Sequence, residues 1–180
     1  MKSELDILYD ITKRFNEAGF DYMLTGSVAL NYYAEPRMTR DIDIVVALNP
    51  KDADSVVALF ENDYYVPRNA VRRALGNQTL FNLIHSESII KVDCIIRKNT
   101  EYRRLEFERR QQVQVDGVEI WIVSKEDLII SKLIWAQDSH SDFQLRDVRN
   151  LLKTGYDADY LEKWTRKLLL DELLRECLDE

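Results

Sequence analysis

Residues 24–46 read LTGSVALNYYAEPRMTRDIDIVV, and the two ends of this stretch decide how the rest of the chain is read. At one end Gly26 and Ser27 follow a short apolar lead-in. At the other, after thirteen intervening residues, Asp41 and Asp43 stand inside the apolar run of Ile42, Ile44, Val45 and Val46. Side chains alternate faces along a strand, so both aspartates project to one side while Ile42 and Ile44 point to the other. Two such carboxylates lie roughly 6.7 Å apart and repel by ~2.5 kcal/mol at an effective dielectric near 20. A cation is needed between them. Mg²⁺ suits the position, because it takes one or two carboxylates and keeps its other places for water and phosphate oxygens. Gly26 and Ser27 lie where strand gives way to helix. There, free backbone N–H groups and the helix dipole favour an anion, and glycine allows close approach. Together the two ends suit a nucleoside triphosphate carried with magnesium.

A third carboxylate lies downstream. In the segment Ser88 to Arg97, alternation puts Lys91, Asp93 and Ile95 on one face and Val92, Cys94 and Ile96 on the other. An acid among so many aliphatic residues costs several kcal/mol if buried as an unpaired charge, so Asp93 requires a metal or a cationic partner.

At these residues the sequence resembles the nucleotidyltransferase superfamily, whose fold is that of DNA polymerase beta. The family pattern is an apolar strand, Gly-Gly or Gly-Ser, about ten to thirteen residues, Asp-x-Asp or Asp-x-Glu, and a third carboxylate on a later strand; Gly26, Ser27, Asp41, Asp43 and Asp93 match it in turn. Arg37, Thr39 and Arg40 fit the Arg-x-Thr-x-Asp-x-Asp form of the small bacterial branch, which includes abortive-infection toxins and minimal antibiotic-modifying transferases. Lys132 followed by Arg146-Asp147 looks like that branch's downstream Lys and Arg-Asp motifs.

The resemblance implies an α/β (α+β) fold, a mixed β-sheet flanked by helices with a C-terminal helical segment. It implies magnesium-dependent transfer of a nucleoside monophosphate from a triphosphate, ATP among the candidates, to an acceptor hydroxyl, with release of pyrophosphate. Asp41, Asp43 and Asp93 would be the catalytic carboxylates and hold two Mg²⁺ ions. Gly26, Ser27, Arg37, Arg40, Lys132 and Arg146 would bind the nucleotide.

With 180 residues, 46% hydrophobic and 32% charged, the chain has the make-up of an ordinary globular protein. Its net charge of −7 argues against bulk binding along a phosphate backbone. Cys94 and Cys177 stand far apart with no CxxC partner, which implies neither a disulfide framework nor a zinc site. No signal peptide shows at Met1 to Phe20 and no apolar run approaches a membrane span, so a cytoplasmic location is the expectation.

The pattern predicts a cover helix from Ser3 to Ala18, a strand at Phe20 to Thr25, a helix at Ser27 to Ala34 and a strand at Asp41 to Ala47. A helix from Pro50 to about Asn62 should follow, then, past an unassigned stretch, strands at Thr79 to His85 and Ser88 to Arg97 and a basic surface helix from Thr100. Asp116-Gly117 marks a hairpin. Helices fill the rest: one capped by Ser124, one with Phe143 and Val148 in its core, and one from Asp157 to Leu178. The shift to helix near Ser124 divides the chain into a core, 1–123, and a helical subdomain, 124–180. Trp121, Trp135 and Trp164 are expected in the core. Lys132 either snorkels or points into a cleft, and Arg146 and Asp147 either bind nucleotide or pair on a helix surface.

The acceptor stays open between an RNA 3′ end, a protein hydroxyl and a cationic small molecule such as an aminoglycoside. From another class comes a non-catalytic nucleotide-binding module, such as a toxin-antitoxin component.

Overall fold

The computed structural model describes residues 2–39 and 41–179; Arg40, named above as a nucleotide contact, lies outside them. Its centre is a seven-stranded mixed sheet. The chain begins with helix α1 (Glu4–Ala18), whose Ser3 forms a capping box with Asp6 and whose end is Gly19 at φ +70°. Strand β1 (Tyr22–Thr25) leads directly into α2 (Gly26–Tyr33), and β2 (Asp41–Val46) returns antiparallel to β1. The helix expected from Pro50 is a 3₁₀ turn (Pro50–Asp52) running into α3 (Ala53–Phe60). The unassigned stretch holds a short edge strand β3 (Tyr64–Tyr65) and α4 (Arg68–Asn77).

Strands β4 (Leu80–His85) and β5 (Lys91–Ile96) follow, β5 starting later than expected because Ile89 sits at φ +57°. Next come α5 (Glu101–Glu108) and the hairpin β6 (Gln111–Val115) with β7 (Val118–Ile122). The strand order is β3-β4-β5-β2-β1-β7-β6. The C-terminal part is α6 (Lys125–Ser139), α7 (Asp142–Leu152), α8 (Ala158–Lys167) and α9 (Asp171–Asp179). The single last helix expected here is two, because Leu169 adopts φ +58° and breaks the run.

The two faces of the central strands differ. Ile42, Ile44 and Val46 of β2, with Val92, Cys94 and Ile96 of β5, form one face and are almost fully buried. Phe15 of α1 meets Tyr22 and Phe60 by ring contacts, which places α1 and α3 over that face. The other face carries Asp41, Asp43 and Val45 beside Lys91, Asp93 and Ile95. Over its Val45 end, α5 and α6 form a wall across a cavity. Trp164 is buried as expected. Trp135, at 58% exposed, and Phe143, at 44%, are not in the core: both lie on the side of their helices turned away from it.

Candidate active site

Strand register brings the three aspartates together. In the parallel pairing of β2 with β5, Asp43 is the direct partner of Asp93 and Asp41 the partner of Lys91, so all four side chains emerge on one face. The antiparallel pairing of β1 with β2 sets Thr25 opposite Asp43, and the chain then turns into α2 at Gly26, φ +64°. The turn is pressed against the carboxylate: a Cβ on Gly26 would lie 2.0 Å from Asp43 Oδ2. A side chain there has no room. The N-cap residue of α2, Thr25, makes no side-chain hydrogen bond to the first turn among the described residues, so the leading N–H groups of the helix beside Asp43 are not capped by it.

The three carboxylates are not equivalent. Asp41 is the exposed one, its side chain 55% accessible. Asp43 is more buried, and burial, together with the charges of Asp93 and Asp41, pushes its carboxyl up to about 6. Asp93 has both oxygens engaged: the Asn82 amide donates to Oδ1, and Lys91 Nζ lies 3.2 Å from Oδ2 and 3.6 Å from Asp41 Oδ1. Among the described residues, no three acidic, histidine or cysteine side chains converge as they stand on a point that could hold a metal ion.

A second cluster stands beside the first. Asp147, buried in α7, receives two hydrogen bonds from Arg37, Nε at 2.9 Å and Nη2 at 2.8 Å, and one from Lys132 Nζ at 2.8 Å. Arg37 Nη2 also donates to Ser27 Oγ at 2.6 Å, so the serine hydroxyl is oriented by an arginine that is itself held from below. Its guanidinium stacks on Phe143, 4.2 Å from the ring centre. Burial alone would raise the Asp147 carboxyl, but Arg37 and Lys132 hold it below the ordinary range. Burial pulls the Lys132 ammonium down, with Asp147 opposing.

From Gly26, Ser27 and Asp43 a cavity of about 300 Å³ runs between the sheet and α6. Val45 and Ile95 form its floor, and Lys132 and Trp135 stand in its α6 wall. Arg103, Glu106 and Ser131 also line it as a joined set: Ser131 Oγ donates to Glu106 Oε1 at 2.5 Å, and Arg103 Nη1 donates to Glu106 Oε2 at 2.8 Å. Arg97 contributes a buried Nε that has no hydrogen-bond partner among the described residues.

A doubly aspartate-bearing strand beside a glycine-serine bend and a third aspartate in register is the pattern read from the sequence, here assembled in space. Over residues 3–172 the chain matches the family described as "Nucleotidyltransferase of unknown function (DUF6036)". The chain belongs to this nucleotidyltransferase family.

Solved structures agree on the fold. The nucleotidyltransferase is similar to ANT(2″)-Ia in complex with adenylyl-2″-tobramycin, at TM-score 0.60 and 13% identity, covering 97% of this chain and 98% of that one. It is similar to the lincosamide antibiotic adenylyltransferase LnuA in its lincomycin-bound form, at TM-score 0.54 and 16% identity over 83% and 96% of the two chains. A third similar structure is a putative nucleotidyltransferase from Thermotoga maritima, at TM-score 0.56 and 16% identity over 91% and 92%. No curated protein matches it by sequence.

Of the residues singled out beforehand, Gly26, Ser27, Arg37, Asp41, Asp43, Asp93 and Lys132 of the nucleotidyltransferase meet at this place. Arg146 does not join them: it is exposed, over Phe143 at 5.4 Å, and is not among the cavity's lining residues. Asp147 and Arg146 are not a surface pair, since Asp147 points inward to Arg37 and Lys132. Sequence reading also missed Asn82 and the Arg103–Glu106–Ser131 set. The signal for Asn82 was its alternation with the buried Phe81 and Leu83 in β4, which gives its face; the register of β4 with β5 then sets it opposite Asp93.

Proposed function

We propose that this nucleotidyltransferase moves a nucleoside monophosphate from a nucleoside triphosphate to the hydroxyl of a small acceptor molecule. The observation that carries the reading is the register of Asp43 with Asp93 beside the turn at Gly26, which the Thr25 side chain does not cap. The donor set fits a hard divalent cation such as Mg²⁺: three carboxylates share a face, and Asp43, pushed up to about 6, is held in a setting that disfavours its charge unless a cation joins it. Two such ions, held by Asp41, Asp43 and Asp93, would neutralise the triphosphate and stabilise attacking and leaving oxygens together.

The chain's own residues do the rest. The leading N–H groups of α2 and the Ser27 hydroxyl, set by Arg37, receive the terminal phosphates, and Lys132 adds positive charge from the opposite wall. The nucleoside enters the cavity beyond Asp43. Asp93 orients the acceptor hydroxyl and takes its proton as the new bond to the α-phosphorus forms and pyrophosphate leaves. The acceptor approaches from the Asp41 end, which is open to solvent. The division into a core, 1–123, and a helical part, 124–180, belongs to the same proposal, with the nucleotide between them.

A small acceptor is favoured over nucleic acid by the state of the basic run. Arg103 is tied to Glu106, Arg109 to Asp127 at 3.0 Å and Arg110 to Asp21 at 3.2 Å, while Arg97 lies over Phe107. Four of the six basic residues from Arg97 to Arg110 are thus committed inward, and the net charge is −7. The test is mass spectrometry of candidate acceptors incubated with each of the four triphosphates: hydroxylated small molecules, tRNA and proteins. A nucleotide-sized mass gain on a small molecule supports the reading. A gain confined to RNA or protein replaces the acceptor class, and none anywhere, with tight nucleotide binding retained, leaves a binding module.

A further inference from the structure

We propose that Lys91 is a resident counter-cation of the carboxylate cluster, lying between Asp41 and Asp93 until a divalent ion displaces it, and that it thereby sets the affinity for that ion. The inference rests on the reading of Asp41, Asp43 and Asp93 as a cation-binding set.

Three carboxylates share this face; among the described residues Lys132 and Arg37 are both bound to Asp147, and Lys132 acts on Asp43 only through its charge. Lys91 Nζ, at 3.2 Å from Asp93 and 3.6 Å from Asp41, is an ammonium in direct contact with two of the three. It lies between two of the carboxylates that would hold the ion. A divalent ion carries twice the charge and approaches carboxylate oxygens to about 2.1 Å, closer than an ammonium can. Lys91 is also built to leave. It is the first residue of β5, its side chain is 39% accessible, and a flexible four-carbon stem can carry the charge into water with little loss of hydration. Removing a competitor for a site raises the apparent affinity of the ligand it opposed.

The test compares wild type with Lys91→Met, which keeps the stem and loses the charge, and with Lys91→Arg, which keeps the charge. Lys91→Gln serves if the methionine variant is poorly folded by circular dichroism. Lys51→Met, at an exposed position in the turn before α3, controls for net charge. Mn²⁺ binding to nucleotide-free protein is measured by calorimetry, and melting temperature is followed in EDTA and in Mn²⁺. The expected result is about tenfold tighter Mn²⁺ binding for Lys91→Met, with Lys91→Arg and Lys51→Met near wild type. Its melting temperature should fall in EDTA and recover in Mn²⁺. Equal Mn²⁺ affinity in wild type and Lys91→Met overturns the role of Lys91 and leaves the metal reading standing, as does equal tightening in Lys51→Met. No Mn²⁺ binding to any variant, with or without triphosphate, overturns both.

Discussion

Gly26 and Asp43 are fitted to one another so closely that a methyl group on the glycine would fall 2.0 Å from the carboxylate oxygen. The backbone at Gly26 is also left-handed, at φ +64°. Gly26→Ala therefore combines strain with a clash against a side chain that has little freedom to yield. The variant should lose about 1–3 kcal/mol in urea unfolding and most of its triphosphate affinity. Unchanged nucleotide binding would show that the bend is not the phosphate cradle.

Asp147 organises the phosphate side through Arg37 and Lys132. Asp147→Asn leaves a buried ammonium and a half-buried guanidinium without their counter-charge and should cost about 3 kcal/mol. The exposed neighbour Arg146→Ala should change stability by under about 0.5 kcal/mol. The pH dependence has a definite sign. The Asp147 carboxyl is held below its ordinary value in the folded state, so its contribution is present above the usual carboxylate range and lost as pH falls through the folded pKa. Urea unfolding from neutral pH to pH 2.5 should show a flatter acid limb for Asp147→Asn than for wild type; parallel curves would refute it.

Much of this was readable beforehand, because a strand's two-residue period fixes which side chains share a face. Asp41, Asp43 and Asp93 could be placed together from alternation and motif spacing, and α6 from its Ser124 cap. What alternation cannot supply is which helix face meets which partner. Lys132 and Asp147 are fifteen residues apart on different helices, and their contact depends on how α6 and α7 pack. The same gap misplaced Trp135 and Phe143. Apolar residues at helical spacing look like core, yet both lie at the functional side of the molecule, one lining the cavity and the other stacked on Arg37. The break at Leu169 was hidden for a different reason: a left-handed leucine is rare, so a leucine-rich run reads as one helix.

Crowded carboxylates make a prediction about stability without metal. Asp43→Asn removes one of two facing charges in a half-buried position, so in divalent-free buffer at pH 8 it should unfold about 1–2 kcal/mol later than wild type. Its transfer activity should be lost. A destabilised asparagine variant would mean that the carboxylate is held by favourable contacts instead.

Trp135 lines the cavity while remaining 58% exposed. Addition of triphosphate should change the protein's tryptophan emission, and Trp135→Phe should remove most of that change while costing under about 1 kcal/mol of stability. A full signal in the variant would place the nucleoside elsewhere.

The central claim is that Asp41, Asp43 and Asp93 act together on the α-phosphorus of a bound triphosphate. Its most direct measurement follows label from an α-phosphate-labelled triphosphate into acceptor, with pyrophosphate counted in parallel, for wild type and for Asp41→Ala, Asp43→Ala and Asp93→Ala. The account predicts matched label transfer and pyrophosphate release in wild type and at least about a hundredfold loss of both in each variant. Transfer at wild-type rate in any folded variant would contradict it.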